Sequence, residues 1–145
     1  MEDKNQIQLL AITSTEIYFK RENSLDESYI KAQSKLDINV ERNYTNLQTN
    51  GIFNVFVTVN ITQTLDDKDL VTIRTTTAGT FRKSDKIEDN NLHQFCDINA
   101  PAIIFPFIRE TISGLSVKGS LAPIIVQPIN FIELNKNKGA NTPKE

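Results

Sequence analysis

The order of apolar and polar residues divides the chain into two parts. Up to Phe81 apolar positions recur mostly every second residue, the spacing of strands with one buried face. Residues 7–19, IQLLAITSTEIYF, are rich in β-branched and aromatic residues and contain neither Gly nor Pro. They predict a first strand, bent around Ser14. After a long polar connection at 20–34, Leu36, Ile38 and Val40 alternate with Asp37, Asn39 and Glu41 in a second strand that continues through Tyr44 to Leu47. Thr49-Asn50-Gly51 supplies the turn that follows. In the third strand Phe53, Val55, Val57, Val59 and Ile61 share one face, opposite Asn54, Thr58, Asn60 and Thr62. Asp66-Asp67-Lys68-Asp69 makes the next turn. A fourth strand sets Val71, Ile73 and Thr75 against Thr72, Arg74 and Thr76, and Gly79 suggests a bulge or a close backbone approach before Phe81. Short connections favour an antiparallel meander.

After a polar crossing at 83–91 the period changes. Residues 97–119 predict a long helix, with Pro101 suited to its first position, a kink or weak turn at Pro106, and Gly119 as its stop. At about 100° per residue, Phe105, Ile108, Ile112 and Leu115 cluster with Ile104 in one core-facing stripe. Ile103 and Phe107, with Gly114 beside them, form a second apolar side. A helix apolar on two sides packs between two layers, and in a chain this small another subunit can supply the second. SLAPIIVQP, bracketed by Pro123 and Pro128, predicts an extended stretch, and Pro128 opens a short helix through Leu134. The fold class is α+β: a four-stranded antiparallel sheet, then one long and one short helix on one face. Residues 1–135 make a single domain, and 136–145 read as a polar, disordered tail.

Composition changes this picture little. A chain of 145 residues with 39% hydrophobic and 23% charged residues is an ordinary globular domain. A net charge of -2 gives no electrostatic case for nucleic acid or an anionic membrane. The single cysteine, Cys96, forbids an intrachain disulfide and favours a reducing compartment. The N-terminus lacks a basic n-region and a continuous apolar h-region, and no apolar run approaches the roughly 18 residues of a membrane span. The expectation is a soluble, cytoplasmic protein.

Candidate chemistry is sparse. His93 and Cys96 lie three residues apart, but no nucleophile motif surrounds the cysteine and no third, orienting group is evident. A surface histidine and a small core thiol are the simpler reading. One His and one Cys cannot build a tetrahedral zinc site in one chain. No glycine-rich phosphate loop joins a strand to a helix. The sequence predicts no enzyme, no cofactor and no metal. Surplus apolar surface is the stronger signal: Ile52 and Phe56 fall on the polar face of the third strand, and one helix does not suffice to cover Leu36, Ile38 and Val40. Such surface marks a binding groove or a subunit contact.

Ile104-Phe105-Pro106-Phe107-Ile108-Arg109-Glu110, Lys118-Gly119 and Pro128-Ile129-Asn130-Phe131 together resemble the C-terminal half of the bacterial export chaperone SecB. Ala78-Gly79-Thr80-Phe81 resembles that family's element at the end of strand four, and the likeness spans about residues 7–135. The resemblance implies a homotetramer, a dimer of dimers with the long helices sandwiched between sheets, which would place Ile103 and Phe107 at a subunit interface. It implies an ATP-independent holdase that keeps preproteins translocation-competent by binding non-native chains in hydrophobic grooves. The groove positions would be Leu36, Ile38 and Val40 on strand two, with Phe131 and Leu134 on the second helix.

The family docks the translocation ATPase SecA through acidic positions on the outer sheet. Here Glu16 keeps one, Lys20 and Arg74 stand where the family has acids, and Thr72 replaces an apolar residue. Reversed charges at a complementary interface cost affinity and association rate, which sets these positions against SecA docking. SecB-like chaperones that protect the antitoxin of a toxin–antitoxin system are the alternative. A small-ligand binder or hotdog-type thioesterase, with a sheet wrapped around a central helix, is a third reading and requires a polar pocket near His93.

Overall fold

A computed structural model describes residues 7–22, 33–46, 51–65, 67–119 and 124–141. Its elements are β1 (Ile7–Arg21), β2 (Gln33–Asn46), β3 (Ile52–Leu65), β4 (Lys68–Lys83), α1 (Asp89–Gln94), a π-helical turn (Phe95–Asn99), α2 (Ala100–Gly119) and α3 (Phe131–Asn141). All three strand pairings are antiparallel, and the sheet order is β1-β4-β3-β2. The order departs from a simple meander. β2, β3 and β4 follow one another, but β1 lies beside β4 at the far edge, in the manner of a Greek key. A long β1–β2 connection permits this crossing, and the short turns between the later strands do not.

Two turns explain the tight connections. Gly51, ahead of β3, has φ +72°, and an added Cβ would lie 2.8 Å from the Lys83 carbonyl oxygen, so only glycine fits. Leu65 pairs with Lys68, which leaves a two-residue hairpin loop, and Asp67 adopts the left-handed region at φ 64° that aspartate tolerates. Gly79 is a close approach, not a bulge. Its Cβ would meet Ile104 Cδ1 at 2.9 Å, so α2 rests directly on the β4 backbone there. The irregularities fall on β1, where the register skips Leu10 and Thr15, the second beside the expected bend at Ser14.

The core lies between one sheet face and α2. Phe53, Val55, Val57, Val59 and Ile61 of β3 are all buried, as are Val71, Ile73, Thr75 and Phe81 of β4. Against them α2 buries Ile104, Phe105, Ile108 and Ile112, with Leu115 half-buried at the rim. The helical region begins earlier than residue 97. It starts at Asp89 and widens into the π turn, where the Ala100 N–H bonds to the Phe95 carbonyl, before reaching Pro101. Pro101 is therefore buried inside the helical run and not at its start. Its ring would crowd the Asp97 carbonyl in a regular α-turn, and the widened turn precedes that point. Phe95 anchors the turn, its ring edge-on to Phe81 at 5.1 Å and to Phe53 at 6.2 Å.

Pro128 does not open the last helix. Residues 124–130 stay extended, and α3 starts at Phe131, where Asn130 Oδ1 accepts the N–H groups of Ile132 (3.0 Å) and Glu133 (3.2 Å). Asn130 and Glu133 sit at the spacing of a capping box. The capped helix runs through the expected end at Leu134 to Asn141, so residues 136–141 of the expected tail are helical. No helix among the described residues is long and apolar enough to cross a membrane.

Candidate functional site

Three surfaces stand out, each built by a different part of the sheet and helix arrangement. The first is apolar. α2 lies mainly over β4 and β3, so on the helix side the edge strand β1 leaves Leu9 and Ile17 exposed, while Tyr18, opposite Arg74, is exposed on the other face. Leu9 and Ile17 pair with Phe81 and Thr75, which places them on the helix side of the sheet, where their strand neighbours are core. On α2, Ile103 is 37% and Phe107 48% exposed, and Val117 lies almost fully in solvent. An added Cβ at Gly114 would meet nothing. This is the second apolar side expected of the helix, and within one chain nothing among the described residues covers it.

The second surface follows α2 on its other flank. The extended segment alternates: Ile124 and Val126 are buried, Ile125 between them is 75% exposed. Ile124 N–H donates to Ser116 Oγ at 3.0 Å, and Arg109 Nε donates to the Val126 carbonyl at 3.1 Å. Pro106, Arg109, Glu110 and Ser113 line a cleft with the segment's outer side. Phe131, expected in a groove, is only 4% exposed, its ring edge-on to Phe105 with centroids 5.6 Å apart. Leu134 is partly buried against the same core, while Ile132 faces solvent. The other groove positions are placed by register alone, since their side chains lie outside the described part. Leu36, Ile38 and Val40 pair with Ile61, Val59 and Val57, the buried row of β3, at the β2 edge of the sheet.

The third surface is the outer sheet face, and it is polar. Arg74 Nε donates to Glu16 Oε1 at 2.7 Å and Arg74 also reaches Asn60 Oδ1 at 3.4 Å, with both partners of the ion pair about half exposed. Lys20 pairs with Glu22 at 3.7 Å. Thr72 is half-buried opposite Lys20. Hydroxyls and amides stitch the strands between them: Thr58 to Thr76 at 2.8 Å, Thr80 to Asn54 at 2.7 Å. Glu16 is thus engaged by Arg74, the two meeting across the β1–β4 pairing.

Among the described residues catalytic chemistry does not gather at one place. Cys96 is fully buried in the core while His93 lies on the surface, so the thiol is withdrawn from any substrate. Among the described residues no group of three His, Cys, Asp or Glu side chains could hold a metal. A second cleft between the start of β1 and the helical region is lined by Ile7, Lys86, Ile87, Glu88, Asn91, Phe95 and Asn99, without His93. Two residues gain weight that sequence reasoning did not assign them. Arg109 had appeared only within a motif, since its contact with Val126 is tertiary. Asn130 carried a readable local signal, the Asn-Phe-Ile-Glu cap.

Comparison with known proteins places the chain in a family. A family model described as SecB, preprotein translocase subunit SecB, matches residues 1–142. A protein-export protein SecB from Orientia tsutsugamushi (strain Boryong) is 31% identical over 116 residues, covering 79% of this chain and 69% of that protein. One from Hahella chejuensis is 35% identical over 105 residues, covering 72% of this chain and 64% of that protein. The chain therefore spans about two thirds of these relatives' length. Among solved structures, the Mycobacterium tuberculosis Rv1957 SecB-like chaperone, in complex with a ChAD peptide from the Rv1956 HigA1 antitoxin, aligns with TM-score 0.70 at 15% identity. The alignment covers 85% of this chain and 87% of that one, a likeness of fold.

Proposed function

The chain belongs to the SecB family, whose members are chaperones and not enzymes, and on that premise we propose that it is an ATP-independent holdase for non-native polypeptides. The observation that carries the reading is the large apolar surface a single chain leaves open on β1 and α2. Part of that surface goes to assembly: Ile103 and Phe107 pack against another subunit in a cytoplasmic dimer of dimers. The remainder, with Leu36, Ile38 and Val40 at the β2 edge and Phe131 and Leu134 of α3, receives clients. Apolar contact with extended chain is tolerant of sequence and needs no catalytic group.

Protein export is the role the relatives' names carry, and the outer face argues against SecA as the receiver. Arg74 sits on Glu16 and Lys20 on Glu22, so both acids are already paired and a basic docking partner meets little free negative charge at these positions. That observation favours the second reading, protection of an antitoxin by the same client surface. The decisive measurement is aggregation of a slowly refolding client without ATP. Suppression at one tetramer per client is expected, and no suppression at that ratio would reject the holdase. Pull-downs against SecA and against the products of neighbouring genes separate the two readings. Strong SecA binding would overturn the charge argument.

A further inference from the structure

The cleft at the start of β1 lies at the sheet edge opposite to β2, away from Leu36, Ile38 and Val40, and client holding makes no use of it. Three parts of the chain meet there: the first residue of β1, the turn between β4 and α1, and the run from α1 into the π-helical turn. Its volume is about 490 Å³, within the range of small-ligand sites. The floor is apolar. Ile7, Ile87 and Phe95 are each half-buried and packed against the core, and the surface they keep lines the cleft. Edge contacts with Phe81 and Phe53 hold the Phe95 ring from behind.

The rim is polar and carries both signs of charge. Lys86, Glu88, Asn91 and Asn99 line it and are exposed. Among the described residues no ion pair joins Lys86 to Glu88, so both charges are available. Asn91, Phe95 and Asn99 recur at every fourth residue. In a regular α-helix each such step drifts by about 40°. The π-helical turn that starts at Phe95 takes more residues per turn and counters the second drift, which keeps both carboxamides in line with the ring.

Each element of the rim has a matching group in a short peptide. A carboxamide offers a donor and an acceptor together, the complement of one peptide group whatever its side chains. Lys86 and Glu88 complement a molecule that bears a carboxylate and an ammonium. Their Cα atoms are two residues apart, at most about 7 Å, and the chain at Glu88 is extended (φ -73°, ψ 153°). A free dipeptide has its charged ends at the same reach of about 7 Å. A single amino acid carries both charges on one Cα, and a tripeptide spans about 10 Å.

We propose that this cleft is a binding site for a free dipeptide with apolar side chains. Lys86 holds its carboxylate and Glu88 its ammonium, Asn91 and Asn99 take the peptide group, and the side chains lie on Phe95, Ile7 and Ile87. The site stands apart from the client-holding reading, and failure of either leaves the other in place.

Calorimetric titration of the full chain with L-leucyl-L-leucine tests this, and a dissociation constant in the millimolar range or tighter is expected. N-acetyl-leucyl-leucine amide keeps the side chains and the peptide group but lacks both charged ends, and it should bind about tenfold more weakly. Free leucine should also bind more weakly than the dipeptide. Glu88→Gln and Lys86→Met should each weaken the dipeptide by about fivefold, less than for buried charges because the rim is exposed. Asn99→Ala should act in the same direction. All three positions are at the surface, so melting temperatures should stay at the wild-type value. Absence of binding at millimolar dipeptide overturns the site. Equal affinity for the blocked dipeptide, or unchanged affinity in both charge variants, overturns the assignment of the charged ends to Lys86 and Glu88. Free leucine binding as tightly as the dipeptide overturns the choice of ligand.

Discussion

Thr75 is buried on the helix side of β4, yet its hydroxyl has no hydrogen-bond partner among the described residues. A buried, unsatisfied hydroxyl costs about 1–3 kcal/mol. Thr75→Val keeps the branched shape and is expected to stabilise the fold by about 1 kcal/mol, seen as a higher urea midpoint at unchanged slope. A lower midpoint would mean the hydroxyl has a use in the assembled protein. Glu16 and Arg74 illustrate the reverse case. Their bond is short at 2.7 Å, but both side chains are 49% exposed, and exposed pairs contribute about 1 kcal/mol at most. The pair matters for which partner the sheet face can accept, not for whether the sheet forms.

At the level of elements, β3 needed only its own residues to be read. All five members of its expected apolar row are buried, because a central strand has neighbours on both edges and a helix above. β1 is also rich in β-branched and aromatic residues and has a different fate. Placed at an edge and bulged at Leu10 and Thr15, it leaves Leu9 and Ile17 open although they face the helix side. α3 shows how a local signal can be misassigned. Pro128 looked like a helix start, yet the Asn130 side chain, two residues on, bonds to two N–H groups that proline could not have satisfied. Asn130→Ala should cost about 1 kcal/mol and loosen the first turn of α3, read as faster exchange at residues 131–134. Asn130→Asp should leave it intact. Equal exchange in the alanine variant would show that the Phe131–Phe105 contact alone sets the helix start.

For the molecule as a whole, the apolar flank of α2 is the dominant feature. Ile103 and Phe107 are large and exposed on a helix whose other side is core. Phe107→Glu would place a charge in the proposed subunit interface, and it should weaken assembly by at least tenfold while leaving the monomer fold intact. Mass measurement in solution reads this directly. A wild-type protein that is monomeric at micromolar concentration would reject the subunit role of this face. The polar outer sheet surface, with its threonine and asparagine ties, belongs to the same scale. It is largely polar and self-paired, and it contrasts with the apolar surface on the opposite side.

What the chain order determined by itself was what period and local chemistry carry: the strands, the long helix with its two apolar sides and the turn at Gly51. The motif from Ile104 to Glu110 also sufficed to point to the family. Tertiary structure decided the rest, because those features depend on residues far apart in the chain. The placement of β1 beside β4 was one, since alternation is the same for either neighbour. The seating of Gly79 under Ile104 was another. The third was the closure of residues 124–131 on Arg109, Ser116 and Phe105, which turned an expected groove residue, Phe131, into a buried one. A period specifies which face of an element is apolar; only packing specifies what, if anything, covers it.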